Sequence, residues 1–453
     1  MNKFLPLVAL LAGCSFIPNY ERPAAPVPAQ WPAKVRAGET APLGDWRVYF
    51  ADPQLQSLIA AALEHNRDLR IAVARVEEAR ALAGIARADR FPGVDVNLQQ
   101  QAAKVPGDLN TSGQPQISRR YDANLGIAAF ELDFWGRVAS LETAARANFF
   151  ASEFAQRAFR LSLIGEVAGS YYALAEFDQR LRLAEATAAT RADSRRLVEQ
   201  RRDVGLATDL DFLAADGAYQ GARAEVANLA RQRAAAENAL RLLVGTESGA
   251  VLSGLTFTVL PEIAVGLPSE VLLNRPDVLA AEQKLIAANA NIGAARAAFL
   301  PKIVLTATAG TASHALSGLF GGGSGVWSFV PLLKWPLFDA GRTEASVDLA
   351  EVRKVIAVAE YEKTIQQAFR EVVDLLVARE HYAVQLQALE AAETAQTERL
   401  KRVEQRHLGG VSNYLELLDA QRDQFAAQQS VLAIRRAQAA TSAGLYKALG
   451  GSI

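Results

Sequence analysis

The chain repeats itself at one constant interval. Gly136-Arg137 returns as Gly341-Arg342, Glu166-Val167 as Glu371-Val372, and Val198-Glu199-Gln200-Arg201 as Val403-Glu404-Gln405-Arg406. Gly205, Leu210 and Gly245 return as Gly410, Leu415 and Gly450, all at a spacing of 205 residues. One spacing over residues 136–245 leaves no room for insertions, so whatever one half builds the other half builds too. Upstream, Ala88-Asp89-Arg90-Phe91-Pro92 resembles Ala297-Ala298-Phe299-Leu300-Pro301 at a slightly different spacing. Any fold assigned to this sequence has to be two copies of one unit.

Proline shows where each copy is free to be helical. Eight of the 17 prolines fall in residues 1–53, none lies between Pro115 and Pro261, and none follows Pro336. The two proline-free spans are rich in Ala, Leu, Glu, Arg and Gln, which favour helix. Each repeat predicts a helix of about 25–35 residues (54–90 and 274–298), a proline stop, two short strands around a Gly/Ser-rich loop, a very long helix, a glycine turn and a second helix. Residues 137–202 would rise about 100 Å if unbroken. The organisation that follows is a signal segment (1–13), an extended proline-rich tether (14–53), a first repeat (54–250), a linker (251–273) and a second repeat (274–453).

The strands alternate. Val94, Val96 and Leu98 oppose Asp95, Asn97 and Gln99; Ile303, Leu305 and Ala307 oppose Thr306 and Thr308. Trp327, Phe329 and Trp335 share a parity, and Tyr121 and Trp135 lie near the ends of the second strand. Period-two alternation with aromatics near strand ends suits a membrane barrel, and equally an ordinary half-buried sheet. Four strands cannot close a membrane barrel, which needs about eight, and open edges are not tolerated in lipid. If these strands lie in a membrane, several chains must pool them. No run approaches the roughly 18 apolar residues of a spanning helix.

The single cysteine, Cys14, ends the only signal-like segment: Lys3, an apolar run from Phe4 to Ala12, then Leu11-Ala12-Gly13-Cys14. That pattern resembles a bacterial lipobox and predicts a covalent lipid on Cys14, with Ser15 raising no signal for retention at the inner membrane. The formal net charge of −1 leaves no basic footprint for nucleic acid. His65, His314, His381 and His407 show no metal-ligand spacing, and Gly321-Gly322-Gly323-Ser324-Gly325 lacks the lysine of a phosphate loop. Neither catalysis nor a cofactor beyond the lipid is expected.

Several blocks carry a resemblance to a known family. They are Cys14 to Pro23 followed by Pro26, Pro28 and Trp31; Trp46 and Tyr49-Phe50-Ala51-Asp52-Pro53-Gln54-Leu55; Glu131-Leu132-Asp133-Phe134-Trp135-Gly136-Arg137; Ser269 to Asp277; Asn291 to Arg296; and Leu417 to Arg422. Together they resemble the TolC-like outer-membrane efflux channels of the lipoprotein, OprM-like type, over essentially the whole mature chain. The resemblance implies a membrane α+β fold: a homotrimeric outer-membrane β-barrel with four strands per chain, continued by a long periplasmic α-helical barrel. It implies the exit duct of a tripartite pump, passively conducting drugs or other small toxic compounds. Its partners would be outer-membrane lipid, a periplasmic adaptor and an inner-membrane transporter of RND type. Metal-ion efflux or protein secretion on the same fold, and a non-channel coiled-coil lipoprotein scaffold, are the alternatives.

The two glycine turns are the informative loci. By the resemblance they are the periplasmic tips, where the adaptor docks and acidic residues ring a constriction. Gly205, Thr208, Gly409, Gly410, Ser412 and Asn413 are the candidate docking residues; Asp209, Asp211, Glu416 and Asp419 are the candidate gate. Thr208 with Asp211, and Asn413 with Glu416, have the spacing of a helix cap and its third-residue acid, so a capping box is the competing structural role. Asp419 shares a helix face with Glu416 and has Ala214 as its repeat counterpart; a plain solvated acid is its alternative. Ser412 and His407 stand where some family members carry an arginine and a tyrosine that lock the tip, which puts such a lock in doubt.

Overall fold

The computed structural model describes residues 15–28, 31, 45–246, 255–257 and 269–451; Cys14 and the signal segment lie outside them. After one helical turn at Trp46–Tyr49 come helices α1 (Pro53–His65) and α2 (Arg67–Ala88), strands β1 (Asp95–Val105) and β2 (Gln116–Leu132), and helices α3 (Arg137–Asp203) and α4 (Asp209–Val244). The second repeat supplies α5 (Pro276–Ala297), β3 (Lys302–Ser313), β4 (Gly325–Lys334), α6 (Arg342–Leu408) and α7 (Tyr414–Ala448). The rod expected over 137–202 is α3, and α6 repeats it at the same 67 residues. No described helix is long and apolar enough to cross a membrane.

The helix expected over 54–90 is two helices. Asn66 breaks it: its backbone N–H still bonds Ala62, but its side-chain carbonyl caps Leu69 N at 2.9 Å and its amide donates to the Leu243 carbonyl at 2.8 Å. A buried asparagine that satisfies both helix ends and a third helix favours the break over continuation.

The chain divides into two compact units. One comprises residues 1–24, 75–153 and 280–362; the other 25–74, 154–279 and 363–453. The first holds the four-stranded antiparallel sheet, in the order β1-β2-β3-β4. Its register lines up Val96, Leu125, Ala309 and Trp327 on one face, with Leu98 beside Ala123 and Ala307 beside Phe329. Asn97, Asn124, Gly310 and Val326 form the next row on the other face, where Asp95, Gln99, Asp122, Thr306, Thr308 and Ser328 also point. The alternation read from single strands therefore holds across the sheet, apolar on one face and mostly polar on the other.

Between Ile127 and Phe130 the β2–β3 register shifts through a bulge, with Ala129 at φ 52°. The extra residue keeps Phe130 and Leu132 on the apolar face. It also turns Glu131 to the polar face, where its carboxylate takes Arg137 and Lys302, each at 2.6 Å. Strict alternation would have put that acid among the apolar side chains. In the single chain both faces of the sheet are open: Trp327 is 78% exposed on the apolar face and Val330 52% on the other. Among the described residues nothing pairs the outer edges of β1 and β4.

The tether, expected to run extended without a core of its own, is fastened in this unit. Tyr20 and Arg22 converge on Glu282 of α5: the hydroxyl donates at 3.0 Å, and the guanidinium grips both carboxylate oxygens at 2.7 and 2.8 Å. Glu282 is only 5% exposed, so a bidentate partner is what its burial requires. Ile17 packs on a seam of Ala144, Ala147, Ala287 and Ala290, where small side chains let helices approach closely.

The second unit is the helical body. Tyr49 stacks on Tyr446 at 4.8 Å and meets Phe50 edge-on at 5.0 Å. Asp52 caps α1 through Gln54 N and Leu55 N, and its other oxygen accepts the Tyr171 hydroxyl at 2.6 Å. Arg275, 6% exposed, bridges Asp277, Glu371 and the Ala448 carbonyl. Two of the sequence blocks that carry the resemblance are thus anchors of this body.

Candidate functional site

Both glycine turns fold the same way. In the first, Gly205 at φ 76° lets Leu206 N bond Arg201 O at 2.7 Å and Gly205 N bond Arg202 O at 2.9 Å. In the second, Gly410 at φ 73° gives Val411 N to Arg406 O at 2.9 Å and Gly410 N to His407 O at 3.0 Å. This paired bonding is a Schellman stop, and the left-handed residue it needs carries least strain as glycine. Gly409 lies at the end of the same α6 turn, with its N–H on Gln405 O.

The restarts differ. Thr208 and Asp211 form a complete capping box: the hydroxyl accepts Asp211 N at 3.1 Å and the carboxylate accepts Thr208 N at 3.0 Å. The Thr208 N–H and its hydroxyl, which also donates to the carboxylate at 2.7 Å, hold the Asp211 carboxyl below the usual carboxylate range. Asn413 caps α7 through Glu416 N at 2.8 Å, but Glu416 does not close the box expected of it. Its carboxylate instead takes the Ser412 hydroxyl and Arg406 at 3.2 Å. Ser412 is 8% exposed and needs an acceptor, and the longer glutamate reaches past the cap N–H to supply one.

The candidate gate acids are not bare. Asp419 lies 3.1 Å from Arg422, which also holds Asp423, and Asp423 in turn holds Arg399 at 2.7 Å. Asp209 is exposed in the first turn of α4, within the electrostatic reach of Arg202. Arg202 also lies over the Phe212 ring at 4.3 Å. The two residues at the lock positions engage each other, His407 Nδ1 donating to the Ser412 carbonyl at 3.1 Å while its ring tilts against Tyr414 at 5.8 Å. Burial raises the Tyr414 hydroxyl above its ordinary value, and nearby Asp211 adds to that.

The two turns are brought together by one apolar cluster of Val198, Ala215, Val403, Tyr414, Leu417 and Ala420, with Ala207 and Phe212 packed on it. Outside that cluster the tips expose apolar side chains that sequence reading passed over: Leu206 and Leu210 on the first turn, Val411 and Leu415 on the second. They are pairs at the repeat spacing, which was the signal available. Single exposed leucines are ordinary; here three leucines and a valine are exposed in repeat-related pairs on both turns. Among the described residues, no group of three or more His, Cys, Asp or Glu side chains is placed to hold a metal ion.

A family model described as "Outer membrane efflux protein" matches residues 58–246 and again 267–451. The toluene efflux pump outer membrane protein TtgF of Pseudomonas putida is 44% identical, over 98% of this chain and 95% of that protein. Outer membrane protein OprJ of Pseudomonas aeruginosa is 43% identical over 98% and 94% of the two. The open state of the Neisseria gonorrhoeae MtrE outer membrane channel superposes with a TM-score of 0.85 at 36% identity, covering 97% of this chain and 98% of that one. The chain belongs to the outer membrane efflux protein family.

Proposed function

We propose that the chain is one of three identical subunits that close a β-barrel in the outer membrane and form the passive exit duct of a tripartite efflux pump. The observation that carries this is the sheet: apolar on one face, polar on the other, open on both, and unpaired along β1 and β4. Such a sheet is unstable alone, in water or in lipid, and its defects vanish together when neighbours pair the edges and lipid covers the apolar face. Two copies would reach only the smallest barrels, whose interiors side chains fill; three copies supply twelve strands and leave a lumen.

The duct conducts without catalysis of its own, so energy comes from an inner-membrane transporter of RND type. A periplasmic adaptor docks on the hairpin tips, over Leu206, Leu210, Val411 and Leu415, and Asp209, Asp211, Glu416 and Asp419 set the electrostatics of the opening. A covalent lipid on Cys14 adds a second attachment to the membrane. TtgF is named for toluene efflux, which supports small apolar compounds as cargo.

The test is direct. Detergent-extracted protein should hold three chains by native mass spectrometry and form stable single channels in planar bilayers; a monomeric or non-conducting protein refutes the duct. Cells lacking the gene should accumulate toluene and regain tolerance on complementation; unchanged accumulation refutes that cargo.

A further inference from the structure

The register of the sheet places two cations on the wrong face for a purely hydrocarbon contact. Counting along β1 from Val96, the apolar parity runs Leu98, Gln100, Ala102, Lys104; along β2 it runs from Leu125 through Ala123, Tyr121 and Arg119 to Ile117. Arg119 pairs with Ala102 and Ile117 with Lys104, so the two cations are diagonal neighbours on that face. Both are exposed, and among the described residues no acid or hydrogen-bond acceptor takes either head group. The neighbouring arginine shows the contrast: Arg120 faces the polar side and is held by Asp122 at 2.8 Å. Asp108 belongs to the turn after β1, and the His314 ring bonds the Arg119 carbonyl at 2.9 Å rather than countering its charge.

Height decides what meets them. From Val96 to Lys104 the strand climbs about 26 Å at about 3.3 Å per residue, or about 20 Å along the membrane normal at a tilt near 40°. The apolar band of such barrels is about 25 Å tall. Lys104 and Arg119 therefore stand at the border of the band, on the turn side of Tyr121, where interfacial aromatics sit. The opposite end of the sheet is marked by Trp135 and Trp335, whose indole N–H groups donate to Pro301 and Phe299 carbonyls. An unpaired cation at mid-band costs about 2–4 kcal/mol, and near the interface almost nothing.

Resting on the barrel reading above, we propose that Lys104 and Arg119 form a binding site for the phosphate groups of an anionic lipid in the outer leaflet, its acyl chains lying against the apolar band below. Diagonal neighbours on one face lie about 7–8 Å apart, within reach of long side chains, so both cations can meet one phosphate, Arg119 supplying a planar fork and Lys104 a point charge.

The probe is bis-phosphorylated lipid A, titrated against phosphatidylethanolamine onto the assembled wild-type channel and followed by native mass spectrometry. The wild type should retain lipid A preferentially. K104Q/R119Q should weaken that retention by about 30-fold, which is about 2 kcal/mol at one per cation. R120Q, altered on the opposite face, should leave it unchanged. Conductance separates the two readings. If wild type and K104Q/R119Q conduct alike and retain lipid A alike, the site is overturned while the barrel stands. If the wild type neither assembles nor conducts, both fall.

Discussion

Asp419→Ala is the sharpest probe of the tip, because the structure changes what it should do. Asp419, Asp423, Arg422 and Arg399 form a locally neutral cluster linked by contacts of 2.7 to 3.2 Å. Removing Asp419 does not merely take away an attraction for cations. It leaves Arg422 in excess, one positive charge per chain. Across about one Debye length of 8 Å in physiological salt, each charge contributes about 0.2 kcal/mol after screening, and three chains about 0.6 kcal/mol. Cation entry should fall by about threefold and anion entry rise by about the same factor. The structural cost should be under about 0.5 kcal/mol, since the pair with Arg422 is an exposed contact three residues apart on one helix. The assay is reversal potential in asymmetric KCl across a planar bilayer holding single channels, with thermal unfolding alongside. Asp419→Ala/Arg422→Ala restores neutrality and should restore the selectivity. An unchanged reversal potential in correctly assembled Asp419→Ala, or a double variant that stays as anion-favouring as the single one, refutes the reasoning.

Three further outcomes are expected. Asp211→Ala should lower the stability of the first tip by about 1 kcal/mol, read as faster amide exchange at residues 205–209. Because the Asp211 carboxyl is depressed by its bonds in the fold, its contribution is present above the unfolded carboxylate range near pH 4 and should fade as pH drops through the lower, folded value; a tip whose exchange shows no acid dependence counts against it. Arg275→Ala leaves Asp277, Glu371 and the Ala448 carbonyl without their shared buried partner and should cost about 3 kcal/mol, visible as a lowered melting temperature of the solubilised channel, with little change meaning that water substitutes. Intact mass should place the mature N-terminus at Cys14 carrying lipid, and Cys14→Ser should still assemble; an unmodified chain beginning at Met1 or Ser15 rules the anchor out.

Most of the fold was legible because its signals are local and repeated. Long proline-free spans gave α3 and α6, paired glycines gave both turns, and alternation gave the two faces of the sheet. What escaped depended on contacts distant in sequence or on competition for one group. The bulge at Ala128-Ala129 has no signature, since two alanines suit either face; only Glu131 with Arg137 and Lys302 shows why it is needed. Tyr20 and Arg22 reach an acid in the second repeat, beyond any local pattern, so the tether looked free. At the tips, Thr208 with Asp211 behaved as its spacing promised. Glu416 did not, because Ser412 and Arg406 across the turn offered it better partners than its own cap. Arg422, three residues after Asp419, could have been read from helical spacing and bears directly on the net charge around Asp419.

The unpaired rims of the sheet also make each subunit answerable to two neighbours at once. In a ring of three, one chain with a damaged β1 border breaks a seam that the healthy chains cannot mend, because no spare border exists. When sound and damaged chains are made in equal amounts and mix freely, only about one ring in eight is wholly sound. A faulty copy should therefore silence most of the good ones, and inheritance of the defect would be dominant.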